Sequence, residues 1–164
     1  MDAYRAIVAK RDQRAFLPTP LPEEALARIL QAGRMTGSSK NREPNRFIVV
    51  RDRERRAALG AFGRFGRWLA DAPVVVVLAQ TEAHAFDAGR CAQNMMLAAW
   101  NDGIGSCPAH LPEAGLAKLL RIPATIYVNR VIGFGYVDPG RAAPPSSVAR
   151  RRLPLTELTH WEGW

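Results

Sequence analysis

One domain that interleaves helices with strands is what this chain predicts, on three observations. Its 164 residues are enough to bury one substantial core. Val74 to Ala79 is a continuously apolar, mostly β-branched run with the length of a buried strand. Phe86 to Asn101 is apolar almost all round at helical length and is followed by Gly103, as expected of a central buried helix.

The remaining elements follow in order. Residues 2–10 predict a short helix with Tyr4, Ile7 and Val8 on one face. Leu17 to Leu21 is a connector punctuated by proline. Pro22 suits a first helical turn, and Glu23 and Glu24 suit its positive dipole end. Leu26, Ile29 and Leu30 then recur at helical spacing, and Gly33 lies on the same face. That glycine either lets another element approach closely or begins the end of the helix. Thr36 to Asn41 is a polar loop that can open a short helical turn, and Arg46 to Val50 reads as a strand. Arg53 to Ala70 reads as a helix weakened by Gly60, Gly63 and Gly66, with Asp71-Ala72-Pro73 as its stop. After the central helix come a short strand or turn at Ile104 to Cys107, a helix from Pro112 to Leu120 and a strand from Ile126 to Tyr136. Residues 137–164, rich in Pro and Arg, read as an extended arm without a core of its own. Such an arm packs on another surface, for instance a second subunit.

Composition narrows the function classes. No apolar run approaches the ~20 residues of a membrane span, so no membrane partner is expected. The start of the chain lacks the apolar segment of a signal peptide, which points to the cytoplasm. Cys91 and Cys107 form no CxxC pair and read as free thiols. The net charge of +8 is carried almost entirely by Arg, the three lysines being Lys10, Lys40 and Lys118. Basic and aromatic residues do not alternate in the way that stacks nucleic-acid bases. A non-catalytic nucleic-acid-binding module is therefore kept only as a further alternative, and no nucleic-acid partner is expected.

Signatures of hydrolytic and metal chemistry are absent. There is no GxxxxGKS/T loop, HExxH or GxSxG. Gly133-Phe134-Gly135 lacks the third glycine of a dinucleotide fingerprint, and the histidines and cysteines lack metal-ligand spacing. What stands out instead is a pair of basic clusters. Lys10-Arg11-Asp12-Gln13-Arg14-Ala15-Phe16 lies near one end and Arg150-Arg151-Arg152 near the other. Each could be a solvated surface, but together they can share an anion, and Arg forks grip phosphate bidentately. Cations without an evident nucleophile are expected where a cofactor carries the chemistry.

The order of motifs resembles the FMN-dependent nitroreductase family over nearly the whole chain. Lys10 to Phe16 is similar to R-R-S-x-R-x-F, and Gly37-Ser38-Ser39-Lys40-Asn41-Arg42-Glu43-Pro44-Asn45-Arg46-Phe47 is similar to P-S-S-x-N-x-Q-P-W-x-F. Trp68-Leu69-Ala70-Asp71-Ala72-Pro73, Gln93 to Ala99, Gly103 to Cys107, Leu119 to Pro123 and Val131 to Tyr136 follow in the family's order.

The resemblance implies an α+β fold with a central mixed or antiparallel sheet flanked by helices. It also implies a homodimer with FMN at the subunit interface and a C-terminal arm exchanged between subunits. Carried over position by position, Lys10, Arg11, Arg150 and Arg152 hold the FMN phosphate, and Arg14 and Arg67 face the pyrimidine edge of the flavin. Without the resemblance Arg67 is a helix-surface charge. Ser38, Ser39 and Asn41 come from the other subunit, although such residues also make loops and N-caps. Pro108, Ala109 and His110 form a turn over the central ring, with His110 contributing no side-chain chemistry.

The chain also departs from the pattern. Asp12 replaces a Ser and would repel a phosphate unless an Arg neutralises it, while Glu43 replaces a Gln. Arg64 falls where many members carry an Asn that bonds the flavin. The connection from Gln80 to Phe86 is too short for the helices that cover the pocket of larger members, so the site is open or capped by Trp161 and Trp164 of the arm. The implied activity is NAD(P)H-driven two-electron reduction of a small-molecule acceptor such as a nitroaromatic or quinone, with NADH or NADPH as donor. The alternative is another redox chemistry on the same fold, such as dehydrogenation, dehalogenation or flavin fragmentation.

Overall fold

A computed structural model describes residues 2–142 and 152–164. In chain order its elements are α1 (Ala3–Ala9), α2 (Glu23–Arg34), β1 (Asn45–Val50), α3 (Arg53–Ala61), β2 (Val74–Gln80), α4 (Ala85–Asn101), β3 (Gly105–Ala109), α5 (Glu113–Leu120), β4 (Tyr127–Gly135) and α6 (Leu155–Leu158). Single 3-10 turns lie at Ser39–Asn41 and Arg67–Ala70.

The four strands form one sheet in the order β1-β2-β4-β3, antiparallel throughout. Of the mixed and antiparallel sheets expected, the antiparallel one is found. The one parallel pairing among the described residues is an isolated bridge, Asp12 to Ser106. β2 is buried along its whole length, as its unbroken apolar run requires. Its side chains alternate between two cores. Val74, Val76 and Leu78 join Ile132 and Phe134 under α2 and α4, whereas Val75 and Val77 join Val131 under α3 and α5. Each such side chain stabilises the fold by about 1.5–3 kcal/mol. The result is an α+β fold with an antiparallel sheet between helical layers. No described helix is long and apolar enough to cross a membrane.

At its far end β2 carries a buried amide. The Nε2 of Gln80 donates to Asn45 Oδ1 at 2.9 Å and to the His84 carbonyl at 3.2 Å. Its Oε1 accepts from the His84 N–H at 3.1 Å and from Asn129 Nδ2 at 3.0 Å.

Gly33 settles as a close-approach glycine. A Cβ there would lie 2.8 Å from the Phe47 ring and 2.9 Å from Met95, so its absence lets α2 sit directly on α4 and β1. Pro22 stands one residue ahead of the first turn, at the N-cap. The other glycines overturn the expected helix over Arg53 to Ala70. α3 ends at Ala61, the chain loops through residues 62–66, and the Arg67–Ala70 turn packs back on α3. Gly60 and Gly66 meet backbone to backbone, since a Cβ on either would lie 2.7 Å from the other's carbonyl oxygen. Buried Arg56 braces this return by donating to the carbonyls of Arg51, Ala70 and Ala72. Burial lowers the Arg56 pKa below its ordinary value.

Three further expectations are corrected. The strand expected to end at Cys107 continues to Ala109, so Pro108 and Ala109 are strand residues paired with Ile132 and Val131 rather than a turn. Asp2 caps α1, but Tyr4, Ile7 and Val8 are exposed, and only Ala6 of that helix is buried. The arm begins later than residue 137, because Val137 bridges to Phe16 and the Asp138 N–H donates to the Ala15 carbonyl at 3.0 Å. Beyond it, Leu153, Leu155, Leu158, Trp161 and Trp164 are all exposed.

Candidate functional site

The basic segment from Lys10 runs along the outer edge of β3. Asp12 bridges to Ser106, the Gln13 N–H donates to the Ser106 carbonyl at 2.9 Å, and Arg14 Nε donates to Cys107 Sγ at 3.3 Å. Next to this edge the loop over residues 62–66 folds back on its glycines. Gly63 sits under Leu111, where a Cβ would lie 2.5 Å from the leucine methyl, and Trp68 rests on Gly133 at the same close range. The tight packing leaves a cavity of about 480 Å³. Arg14, Arg64, Pro108, Ala109 and His110 line it, with Phe62, Phe65, Trp68 and Leu111 supplying apolar walls. Five of the residues expected at the site thus converge on one cavity, and no carboxylate lines it.

The electrostatics favour an anion there. Contact with Cys107 raises the Arg14 pKa above its ordinary value, so the guanidinium is charged at any working pH. Burial pushes the Cys107 thiol up, and the hydrogen bond from Arg14 only partly offsets this. Cys107 is therefore a neutral thiol at pH 7, and it orients Arg14 without neutralising it. The Arg64 guanidinium lies 5.2 Å from the Phe65 ring centroid. His110 Nδ1 is 3.3 Å from Arg130 Nη1, which brings another cation to the rim.

The other expected residues are placed as follows. Lys10 pairs with Asp12 and touches Met96 Sδ at 3.5 Å, so the neutralising partner of Asp12 is a Lys rather than an Arg. Arg11 turns back to cap α1, donating to the carbonyls of Val8 and Lys10 at 2.8 Å. Arg67 is exposed on its 3-10 turn and does not line the cavity. Ser38, Ser39, Asn41 and Glu43 are not brought to the cavity by their own chain. They form a separate loop in which Ser38 Oγ accepts from the Glu43 N–H at 2.9 Å and Asp87 accepts from the Ser39 N–H at 3.0 Å. Lys40, Asn41 and Glu43 there have φ of 53, 53 and 51°, a left-handed backbone costing about 1 kcal/mol or more per residue. Arg152 is exposed with no described contact to Lys10 or Arg11, and Arg150 lies outside the described residues.

Sequence reasoning missed Cys107 and Arg130 as neighbours of the site. The signal for Cys107 was available, since it alternates with buried Ser106 along β3. Arg130 gave none, because its partner His110 lies 20 positions away, just past the end of β3. The donor set fits FMN. Fixed cations suit its phosphate and the electron-rich edge of its ring, and flat apolar walls suit its tricyclic body.

Known proteins place the chain independently. The nitroreductase family model matches residues 7–65 and 63–136. A protein of Archaeoglobus fulgidus named for NADH dehydrogenase/NAD(P)H nitroreductase is 30% identical over 148 residues, which is 82% of this chain and 85% of that one. Among solved structures, a Parabacteroides distasonis protein of the same naming superposes with a TM-score of 0.86 at 23% identity, over 98% of both chains. An FMN-dependent nitroreductase of Clostridium difficile does so with a TM-score of 0.83 at 24% identity, over 98% of this chain and 99% of that one. The two structures share the fold, the family model spans most of the sequence, and the chain belongs to the nitroreductase family.

Proposed function

We propose that the protein is an FMN-dependent oxidoreductase that uses NADH or NADPH to reduce a small aromatic acceptor, a nitroaromatic or a quinone, by two electrons. The observation that carries this is the convergence of Arg14, Arg64 and the Pro108–His110 segment on one cavity free of carboxylates. Membership of the nitroreductase family supports it, as do an FMN-dependent structural neighbour and a relative named for nicotinamide-linked activity.

FMN, when bound, would supply the hydride and two-electron redox chemistry between nicotinamide and acceptor. The chain's task is to bind, orient and stabilise charge. Arg14 offers a fixed positive charge where the reduced ring gains electron density, and that charge is preorganised by Cys107. Arg64 adds to the same field from the neighbouring loop, and Arg67 would join it only by turning in from its exposed position on the 3-10 turn. Lys10 and Arg11, with Arg150 and Arg152, take the phosphate. Lys10 does so from its pair with Asp12, and Arg11 by leaving the α1 carbonyls that it now caps. Pro108, Ala109 and His110 present backbone to the ring.

Ser38, Ser39, Asn41 and Glu43 complete the site from a second copy in a homodimer of the cytoplasm. The exposed apolar face of α1 and the exposed arm support this arrangement. The visible spectrum of the purified protein, with FMN added if it is colourless, tests the reading. Flavin bands that bleach under anaerobic NADH or NADPH are expected. No flavin bands after reconstitution would overturn it.

A further inference from the structure

We propose that the cavity selects acceptors that are anionic as well as aromatic, such as aromatic carboxylates, and that Arg130 imposes this selection with help from Arg64. The inference rests on the oxidoreductase reading for the word acceptor, but its physical basis is the charge of the cavity itself. Among the described residues eight ion pairs occur, and they engage arginines across the surface, including Arg28, Arg42, Arg51 and Arg141. None of them engages Arg64 or Arg130, and neither has a carboxylate within 4.0 Å among the described residues.

The two guanidinium groups come from different elements. Arg64 stands on the loop after α3, over Phe65. Arg130 stands on β4, with its Nη1 3.3 Å from His110 Nδ1. Arg64 and His110 both line the cavity, and Arg130, which does not line it, adjoins it through His110. The cations deeper along the basic segment are already engaged, Lys10 by Asp12 and Arg14 by Cys107. Arg130 commits only Nη1, to the Asn129 carbonyl at 2.8 Å and to His110, so its other nitrogens, together with Arg64, are left for what enters from solvent. A guanidinium binds carboxylate through two parallel hydrogen bonds, and the aromatic walls hold a flat ring beside it. A neutral ring of the same shape gains only the second interaction, and a cationic one is repelled.

The test compares 4-nitrobenzoate with its neutral isostere 4-nitrobenzamide. Their dissociation constants are measured by calorimetry on the FMN-loaded protein, or on the protein as purified if no flavin binds. Benzoate should bind about tenfold tighter at low ionic strength, and the ratio should fall towards one in high salt. Arg130→Gln should cut the preference to about threefold or less, and Arg130→Lys, which keeps the charge but not the fork, should fall between the two. The kcat/KM ratio of the two compounds should follow the same order. A wild-type ratio at or below one, or a preference unmoved in Arg130→Gln, overturns the proposal. Missing flavin bands would overturn the oxidoreductase reading alone, because the binding ratio is read whether or not flavin is present.

Discussion

Arg14 and Cys107 meet across 93 positions of sequence, and that single contact aims the charge nearest the proposed flavin. Arg14→Gln should therefore weaken FMN binding by roughly 10- to 100-fold, as expected for a hydrogen bond to a charged group. Titration of flavin fluorescence measures this. The other thiol makes a prediction about pH. Burial raises the Cys91 pKa from 9.0 to about 11. The unfolded chain loses that proton first, so the stabilising contribution is whole below pH 9 and is lost as pH rises towards 11. Urea melts across this window should show a loss of up to about 1.4 kcal/mol per pH unit that Cys91→Ala removes. At this scale the motif order made Arg14 and Pro108 to His110 legible. Side-chain direction was not, since Arg11 donates back to the carbonyls of Val8 and Lys10 and Arg67 does not line the cavity. Nothing local in a sequence records which way a long flexible side chain turns.

The return of the chain after α3 is built on two glycines that touch. Gly60→Ala should push the Gly66 carbonyl away from a 2.7 Å contact, and no rotamer change can relieve it. A cost of about 1–3 kcal/mol is expected, with weaker FMN binding because Arg64 and Trp68 ride on the displaced loop. Thermal melts and flavin titration on one preparation read both effects. The same glycines explain the error in reading residues 53–70 as one helix. Apolar spacing continued across them, and glycine inside a helix looks like weakening until the packing that needs it is seen. By contrast, β2 was legible because burial on both faces leaves an unbroken apolar record, whereas α4, expected to be buried almost all round, buries one face through Ala88, Cys91, Ala92, Met95, Met96 and Ala99 and leaves Phe86, Arg90, Gln93 and Asn94 exposed. α1 misled in the opposite direction, since its apolar residues are real but face no partner in their own chain.

At the scale of the whole molecule, Leu155, Leu158, Trp161 and Trp164 lie exposed beyond the sheet. Deleting residues 143–164 should convert a dimer into a species that sediments as a monomer and no longer retains FMN. Sedimentation velocity followed at both the protein and the flavin absorbance checks both outcomes. Pro and Arg content predicted the arm, whereas the loop of Ser38 to Glu43, which the proposed function assigns to a second copy, has no place at the cavity that one sequence could reveal. One chain does not bring it to the cavity. The buried amide of Gln80 has a wider consequence. A strand apolar on both faces carries no pattern that tells one alignment from a neighbouring one. Gln80 supplies the missing mark, because its four bonds close only when Asn45 and Asn129 lie beside it. A slip of the strand would strand that amide in hydrocarbon, so one polar side chain acts as the index pin that admits a single setting of the sheet.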